Sequence, residues 1–276
     1  MTVSWADLRR EAADRLRACG AASPDAEARW LVEEASPDLD GPVTQRAIAH
    51  FDAMLGRREA GEPLQYVLGH WSFRTLDLLV DRRVLIPRPE TEVVTGHAID
   101  ELRRVGGRVA VDLGTGSGAI ALSLVAEVPE VEVWAVDASA DALAVARANV
   151  AGLGRPGGRV RLVEGDWFSA LPDSLRGTVD VVVSNPPYVA AAAALPAEVA
   201  SWEPTSALLS GTDGLDDIRR IVADAPSWLG PAGVLVVELS PEQAATAVDL
   251  ARAAGFADVL VRVDLTGRER VLVARR

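Results

Sequence analysis

The fold is decided by the stretch Val109-Ala110-Val111-Asp112-Leu113-Gly114-Thr115-Gly116-Ser117-Gly118. Its first five residues are apolar apart from Asp112, which is typical of a strand buried on both faces of a parallel sheet. Alternating glycines follow, and residues 119–127 then have a helical pattern. Such a loop lets the backbone approach a ligand closely, and the helix N-terminus favours an electronegative group. The stretch therefore predicts a ligand site at the carboxyl edge of an α/β sheet.

Alternating strand and helix patterns continue from this stretch to the C-terminus. Apolar runs predict strands at residues 108–113, 131–137, 160–164, 179–184, 233–239, 259–263 and 270–273. Helical periodicity predicts helices at residues 90–104, 119–127, 140–151, 213–225 and 242–254. This alternation predicts an α/β fold with a mostly parallel sheet covered on both faces. No crossover helix fits between the last two strands, so they should pair antiparallel at the end of the sheet.

The N-terminal part of the chain has a helical pattern throughout. Apolar residues recur at helical spacing between Trp5 and Leu16. Ser23-Pro24-Asp25 resembles the start of a second helix, with proline at its first position, and a third helix fits residues 43–58. These patterns predict a small all-helical domain over residues 1–60.

A linker is predicted between the helical domain and the α/β domain. Gly61-Glu62-Pro63 breaks the helical pattern. Two short β-rich runs, Tyr66-Val67-Leu68 and Trp71-Ser72-Phe73, then flank Gly69, which suggests a hairpin. We therefore assign residues 61–85 to a β-hairpin linker and residues 86–276 to the α/β domain.

The composition of the chain limits the cellular location and the classes of partner that we expect. The net charge of −12 disfavours a large phosphate-binding face, so we expect no direct nucleic-acid substrate. A single cysteine, Cys19, excludes an intrachain disulfide and favours a cytoplasmic protein. We also expect no signal peptide, because residues 1–17 alternate charged and apolar residues and lack an uninterrupted apolar core. No membrane span is expected, because the alanine-rich run at residues 190–195 is too short to cross a bilayer. No metal is expected, since the three histidines have no ligand spacing: His50, His70 and His97.

The glycine loop, Gly114-Thr115-Gly116-Ser117-Gly118, predicts an adenosine-containing cofactor. Asp137 ends the next strand and would suit a ribose diol. The loop and Ala119 also satisfy the looser dinucleotide fingerprint, so this half of the site leaves two cofactor classes open. Asp112 favours S-adenosylmethionine, because its carboxylate would repel a pyrophosphate. It can instead bind the loop itself or lie near a cationic methionine moiety.

A second cofactor signal is Gly165-Asp166-Trp167-Phe168, which follows the third predicted strand. An aspartate followed by aromatic residues can bind an adenine amino group and cover its ring. Packing in the core is the alternative interpretation for Trp167 and Phe168, and it stays open for both.

The strongest chemical signal is Asn185-Pro186-Pro187-Tyr188, called here the tetrad, which ends a buried strand at the same sheet edge. Two prolines stop the strand and stiffen the backbone. The Asn185 side-chain oxygen and the Pro186 carbonyl can accept the two hydrogens of a planar NH2 group, and Tyr188 can pack on its flat face. The tetrad therefore predicts methylation of a planar amide or amine by positioning in a desolvated pocket.

With these residues in place, the chain closely resembles the glutamine methyltransferases that modify peptide chain release factors. The resemblance covers nearly the whole chain. Its marks are Glu62-Pro63-Leu64-Gln65-Tyr66-Val67-Leu68-Gly69, Ile86-Pro87-Arg88-Pro89-Glu90-Thr91-Glu92, Asp112 through Gly118, Gly165-Asp166-Trp167-Phe168, the tetrad, and Asp264-Leu265-Thr266-Gly267-Arg268-Glu269-Arg270.

The resemblance implies a Rossmann-like class I methyltransferase sheet, the cofactor S-adenosyl-L-methionine and the product S-adenosyl-L-homocysteine. It implies that the substrate is the glutamine in the Gly-Gly-Gln loop of class I release factors, and that the helical domain docks them. By position, the implied cofactor contacts are Gly114, Thr115, Gly116, Ser117, Gly118, Asp137, Trp167 and Asn185. The implied glutamine contacts are Asn185, Pro186, Pro187 and Tyr188. Further candidates for cofactor contact are Asp112, Asp166, Phe168 and Arg88.

Three other functions stay open at this point. They are glutamine methylation of a large-subunit ribosomal protein, amino methylation of a nucleic-acid base, and non-catalytic binding of an adenosine nucleotide. The chain also departs from the family pattern after the tetrad. It has alanines at residues 190–194 and Ser201-Trp202-Glu203-Pro204 where an Arg-Phe-Glu-Pro run is usual, which alters the expected contacts with the substrate loop.

Overall fold

The computed structural model describes residues 4–36, 38 and 43–276, which fall into two compact units. One unit contains the chain up to His70 together with Pro196–Trp202. The other contains Trp71–Leu195 and Glu203–Arg276. Residues 1–3, 37 and 39–42 of the predicted helical domain lie outside the described residues.

The first unit consists of helices. They are α1 (Trp5–Ala18), α2 (Pro24–Ala35), α3 (Gln45–Glu59), α4 (Leu64–Leu68) and, later in the chain, α8 (Ala197–Trp202). The side chains of Ser4 and Thr44 accept hydrogen bonds from backbone N–H groups in the first turns of α1 and α3, which caps both helices. Their apolar faces meet in a core around Leu16, Leu31 and Phe51. The three helices predicted from periodicity are present, whereas α4 and α8 were not predicted.

The predicted hairpin strand at Tyr66-Val67-Leu68 is wrong, because these residues lie in α4. The guanidinium of Arg57 donates to the carbonyls of Tyr66 and Val67 at 2.8 and 3.1 Å, which satisfies groups that a helix leaves free at its C-terminal end. Gly69 then ends the helix with φ of 81°. The two-stranded sheet starts after it and pairs β1 (His70–Phe73) with β2 (Leu76–Leu79).

The second unit contains the predicted α/β sheet. Its seven strands are β3 (Val109–Leu113), β4 (Glu132–Asp137), β5 (Val160–Glu164), β6 (Val179–Ser184), β7 (Leu229–Glu238), β8 (Asp258–Val263) and β9 (Glu269–Arg275). Their order is β5-β4-β3-β6-β7-β9-β8. The pairs from β5 to β7 are parallel, and β9 is antiparallel to both β7 and β8. The mostly parallel sheet with an antiparallel last strand is therefore confirmed.

Helices cover both faces of this sheet. They are α5 (Pro89–Val105), α6 (Ala119–Glu127), α7 (Ala140–Gly152), α9 (Asp216–Trp228) and α10 (Ala244–Ala253). Side chains alternate between the faces of a strand, so Val181 and Val183 of β6 pack in one core with α5 and α6, whereas Val182 packs in the other with α9 and α10. Within the described residues, no helix combines the length and the apolar character needed to cross a membrane.

The register of β3 and β6 places two predicted site segments side by side. Leu113 pairs with Ser184, so the glycine loop and the tetrad leave the sheet from adjacent strand ends. The chain order reverses at this point, since β4 and β5 lie on one side of β3 and β6 lies on the other. Such a reversal opens a crevice beyond the strand ends, where α/β folds bind ligands.

Candidate active site

The glycine loop leaves β3 and enters α6 through backbone conformations that favour glycine. Gly114, Gly116 and Gly118 have φ angles of 72°, 55° and 85°. The N–H groups of Gly114 and Thr115 donate to the carbonyl of Val136 at 2.8 and 2.9 Å, which ties the loop to β4. A Cβ atom on Gly114 would lie 3.4 Å from the indole of Trp167, so a larger residue would crowd this ring.

Asp137 lies beside the loop at the end of β4. One carboxylate oxygen accepts from the N–H of Gly116 at 2.8 Å, and the other accepts from the N–H of Ser139 at 2.9 Å. Burial raises the pKa of Asp137, and these two backbone hydrogen bonds oppose that rise. Because a carboxylate can accept about four hydrogen bonds, Asp137 keeps the capacity to bind two ligand hydroxyls.

A cavity of about 400 Å³ opens at this edge of the sheet. Its lining includes most of the predicted site residues: Gly114, Thr115, Gly116, Ser117, Asp137, Asp166, Trp167, Asn185 and Pro187. Apolar side chains such as Ile120, Val136 and Ala142 add to its wall. The predicted glycine loop, ribose-binding aspartate and tetrad asparagine therefore share one cavity, although they are far apart in the sequence.

The tetrad is held by hydrogen bonds at both of its ends. The Asn185 NH2 group donates to the Thr91 hydroxyl at 3.0 Å, and the Tyr188 hydroxyl donates to Glu238 at 3.2 Å. The amide of Gln243 donates to the Tyr188 carbonyl at 2.9 Å. Burial, together with the neighbouring Glu238 carboxylate, raises the pKa of Tyr188, so its hydroxyl stays protonated at neutral pH.

Sequence comparisons identify relatives along nearly the whole chain. The family model "Methyltransferase small domain" matches residues 95–201, and the model "PrmC N-terminal domain" matches residues 38–69. A release factor glutamine methyltransferase from Gloeobacter violaceus is 45% identical over 240 residues, covering 85% of this chain and 82% of the relative. One from Cereibacter sphaeroides is 41% identical over 280 residues, covering 98% of each chain. The chain belongs to the release factor glutamine methyltransferase family.

Solved structures with distant sequences share the fold of this release factor glutamine methyltransferase family member. The chain is similar to the hMettl16 catalytic domain in complex with MAT2A 3′UTR hairpin 6, with a TM-score of 0.57, 16% identity, and coverage of 90% and 91% of the two chains. It is also similar to a methyltransferase from Pyrococcus furiosus, with a TM-score of 0.53, 19% identity, and coverage of 74% and 90%. The predicted class I methyltransferase fold is therefore confirmed.

Trp167 and Phe168 are neighbours in the chain but lie in different environments in this family member. Trp167 has a φ of 48°, lines the cavity and donates its indole N–H to Asp217 at 3.2 Å. Phe168 is buried in the core and stacks on Trp228, with ring centroids 5.7 Å apart. The core alternative therefore describes Phe168, while Trp167 remains a candidate to cover the cofactor.

Asp166 and Arg88, two further candidates for cofactor contact, form ion pairs that the sequence pattern did not predict. Asp166 lines the cavity and pairs with Arg220. Arg88 pairs with the buried carboxylate of Glu203, which also accepts from the N–H of Ile86 at 3.2 Å. Arg88 thus helps to hold the segment in which it lies, and the adjacent residue Pro87 lines the cavity. Glu203 belongs to the altered Ser-Trp-Glu-Pro run, so that run keeps this contact.

Asp112 is fully buried beneath the glycine loop. One of its oxygens accepts from the Thr115 hydroxyl at 2.6 Å and from the N–H of Ala121 at 3.1 Å. Burial is the main cause that raises the pKa of Asp112 to about 7. The sequence left two roles open for Asp112, binding the glycine loop or lying near a cationic methionine moiety. Its contacts match the first of these roles.

Several polar residues of the site were missed at the level of sequence. Thr91 belongs to a quoted family stretch, so a signal existed, but its contact with Asn185 was not predicted. Glu238 ends β7 at the same edge of the sheet, which is a positional signal. Asp217 and Gln243 lie in or next to helices without any recognised motif. Among the described residues, no group of three or more His, Cys, Asp or Glu side chains is placed to hold a metal ion.

Proposed function

We propose that this chain transfers a methyl group from S-adenosyl-L-methionine to the side-chain amide nitrogen of the glutamine in the Gly-Gly-Gln loop of class I peptide chain release factors. The observation that carries this proposal is the orientation of Asn185. Its NH2 group is engaged by Thr91, and the residue lines the cavity, so its oxygen can accept a hydrogen bond from a substrate. Family membership supplies the identity of the substrate.

The residues around the cavity fit S-adenosylmethionine. Asp137 can accept hydrogen bonds from the two ribose hydroxyls, and Trp167 with Ile120 and Ala142 offers apolar surface to the adenine. Carboxylates at Asp137, Asp166 and Asp217 line the same cavity. Arg83 and Arg220 line it as well, and Arg220 pairs with Asp166. The choice of S-adenosylmethionine over a dinucleotide is therefore supported by family membership and not by the charge of the lining.

The chain's own residues hold the amide for the reaction. A glutamine amide nitrogen is a poor nucleophile because its lone pair is delocalised into the carbonyl. Asn185 and the Pro186 carbonyl would accept its two N–H hydrogens, which orients the lone pair and lets the nitrogen begin to pyramidalise. When bound, the cofactor supplies an electrophilic methyl group. The new nitrogen–carbon bond would replace the sulfur–methyl bond of the cofactor, so S-adenosyl-L-homocysteine would be the leaving group. One of the two held protons would pass to solvent, which leaves a neutral N-methyl amide.

The proposal extends to partners and location. We infer that the helical unit, which extends to His70 and includes Pro196–Trp202, docks the release factor, and that the unit of Trp71–Leu195 and Glu203–Arg276 carries out methyl transfer. We further infer a cytoplasmic location, where translation terminates, and no nucleic-acid substrate. The net charge of −12 supports the last point.

A methyl-transfer assay with labelled S-adenosylmethionine tests the function. Four acceptors are offered: a class I release factor, its Gln→Ala variant in the Gly-Gly-Gln loop, a large-subunit ribosomal protein, and nucleic acid. We expect label on the intact release factor alone. Label that survives the Gln→Ala change, or that appears on the ribosomal protein or the nucleic acid instead, would overturn the assignment.

A further inference from the structure

A buried hydrogen-bond chain runs behind the tetrad and joins three separate elements. Thr91 lies in the first turn of α5, Glu238 ends β7, and the tetrad follows β6. The Thr91 hydroxyl donates to one oxygen of Glu238 at 2.7 Å, and the Tyr188 hydroxyl donates to the other at 3.2 Å. Thr91 and Glu238 are 4% and 0% exposed, so water does not compete for these groups.

The direction in which hydrogens are donated along this hydrogen-bond chain fixes the orientation of the Asn185 amide. A threonine hydroxyl has one hydrogen to donate. Because Thr91 gives that hydrogen to the Glu238 carboxylate, it can only accept from Asn185. Asn185 must therefore present its NH2 group to Thr91, at 3.0 Å, and its oxygen is left to face a ligand. An acceptor at position 238 thus determines which end of the Asn185 amide the substrate meets.

The opposite orientation would be unproductive. If position 238 donated a hydrogen bond to Thr91, the Thr91 hydroxyl could donate to Asn185 and turn the amide round. The Asn185 NH2 group would then meet the NH2 group of the substrate, and two donors cannot bond to each other. The same carboxylate also accepts from Tyr188, so one side chain positions both ends of the tetrad.

We propose that Thr91 and Glu238 are positioning residues for amide methylation, in which Glu238 sets the direction of the hydrogen-bond chain and Thr91 transmits it to Asn185. This inference rests on the proposed function, since it concerns the residue that would hold the substrate amide. Neither residue reaches the reacting atoms in this scheme. Their effect is to select one of the two orientations of the Asn185 side chain, which would contact the substrate amide.

Three substitutions in the full-length chain test the proposal. Glu238→Gln keeps the shape but introduces a donor, Thr91→Val keeps the shape but removes the hydroxyl, and Thr91→Ser restores a hydroxyl. Thr95→Val is the matched control, because Thr95 is equally buried one turn further along α5, and its hydroxyl donates to the Thr91 carbonyl at 2.8 Å. It therefore loses a buried hydroxyl on the same helix without touching the Asn185 side chain.

The readouts are kcat and KM for the release factor, the dissociation constant for S-adenosylmethionine, and the melting temperature. We expect kcat to fall by about 100-fold in Glu238→Gln and Thr91→Val, the scale of a misplaced reacting group. Cofactor affinity should stay within about twofold, and Thr91→Ser should recover kcat to within about fivefold of wild type. Thr95→Val should keep kcat within about threefold of wild type.

The proposal is overturned if Glu238→Gln or Thr91→Val retains wild-type kcat, if Thr91→Val loses no more activity than Thr95→Val, or if Thr91→Ser is as impaired as Thr91→Val. If Glu238→Gln does not fold, the two Thr91 variants decide whether Thr91 orients Asn185, and the pH dependence of kcat in the wild-type chain tests the role of the Glu238 carboxylate. Turnover of the release factor by the wild-type chain tests the proposed function separately, and the variants are compared only with that turnover.

Discussion

Ser184 donates its hydroxyl to the carbonyl of Leu113 at 2.7 Å, which fastens the last residues of β6 and β3 to each other. Both residues are fully buried. The glycine loop begins one residue after Leu113, and the tetrad begins one residue after Ser184. The two segments that we assign to cofactor and substrate therefore start from a rigid, shared point, as positioning catalysis requires.

Replacement of Asn185 by alanine should separate substrate positioning from cofactor binding. The variant loses the acceptor that we assign to the substrate amide, while the glycine loop and Asp137 are unchanged. We expect kcat for release factor methylation to fall by more than about 100-fold, as when a positioned hydrogen-bonding group is removed from other active sites. Titration calorimetry should give a dissociation constant for S-adenosylmethionine close to that of wild type. Full turnover by the variant would remove Asn185 from the assigned role.

The predictable part of the molecule is the part governed by local periodicity. The strands 160–164 and 179–184 and the helix 119–127 have the bounds expected from their patterns. The second run of the linker region also forms a strand, as expected, but the first run does not. Its β-forming residues lie in α4 instead, where the carbonyls of Tyr66 and Val67 accept hydrogen bonds from Arg57 of the preceding helix. Tertiary contacts of this kind override the local propensity of a short run.

The polar contacts of the site were less predictable, because they depend on which side chains the fold brings together. Trp167 and Phe168 are adjacent aromatic residues with similar patterns, yet Trp167, which has a positive φ, lines the cavity, whereas Phe168 is buried in the core. Thr91 and Asn185 are 94 residues apart and meet only after α5 packs beside β6. Motifs therefore identified the residues that line the cavity more readily than those that orient them.

Replacement of Asp137 by alanine should weaken cofactor binding. We expect the dissociation constant for S-adenosylmethionine to rise about 10-fold or more, because an anionic acceptor of two ribose hydroxyls is lost. Glu164→Ala is a matched control, since Glu164 is the register partner of Asp137 on β5 and is exposed. That variant should bind the cofactor as wild type does.

A second measurement separates ribose contact from support of the glycine loop by Asp137. Adenosine and 2′-deoxyadenosine are compared as competitors of S-adenosylmethionine. Wild type should favour adenosine, and Asp137→Ala should bind both with similar affinity. A variant that binds weakly yet still discriminates between them would point to the loop contact with Gly116 alone.

Turnover should depend on pH through Glu238. Burial is the main cause that raises the pKa of Glu238 to about 7, while hydrogen bonds from Thr91 and Tyr188 and the charge of Arg270 oppose the rise, and Glu90 adds to it. The positioning scheme needs the ionised carboxylate, which accepts both hydrogen bonds. Activity should therefore be present above the pKa and should fall as the pH decreases through about 7.

The pH profile of kcat under saturating substrates checks this expectation. A glutamate with an unshifted pKa would place the loss of kcat at acid pH, the acid limb of the profile, well below neutral pH. In Glu238→Gln the residual activity should lack this limb, because position 238 no longer titrates. If the limb persists in the variant with the same midpoint, the titrating group is another one, with Asp112 as the first candidate.

The buried carboxyl of Asp112 should make the stability of the fold depend on pH. Its pKa is raised from 3.8 to about 7 in the folded chain, chiefly by burial. Between these values the folded chain holds a proton that the unfolded chain has released, so the contribution of Asp112 to stability is complete below about 4 and is lost as the pH rises towards 7. The slope from this one group is at most about 1.4 kcal/mol per pH unit. Urea unfolding of wild type and Asp112→Asn at several pH values isolates it, because every other group is common to both chains. The free energy of unfolding of wild type should decline more steeply than that of the variant across this window, whereas parallel curves would mean that Asp112 keeps an ordinary pKa in the fold.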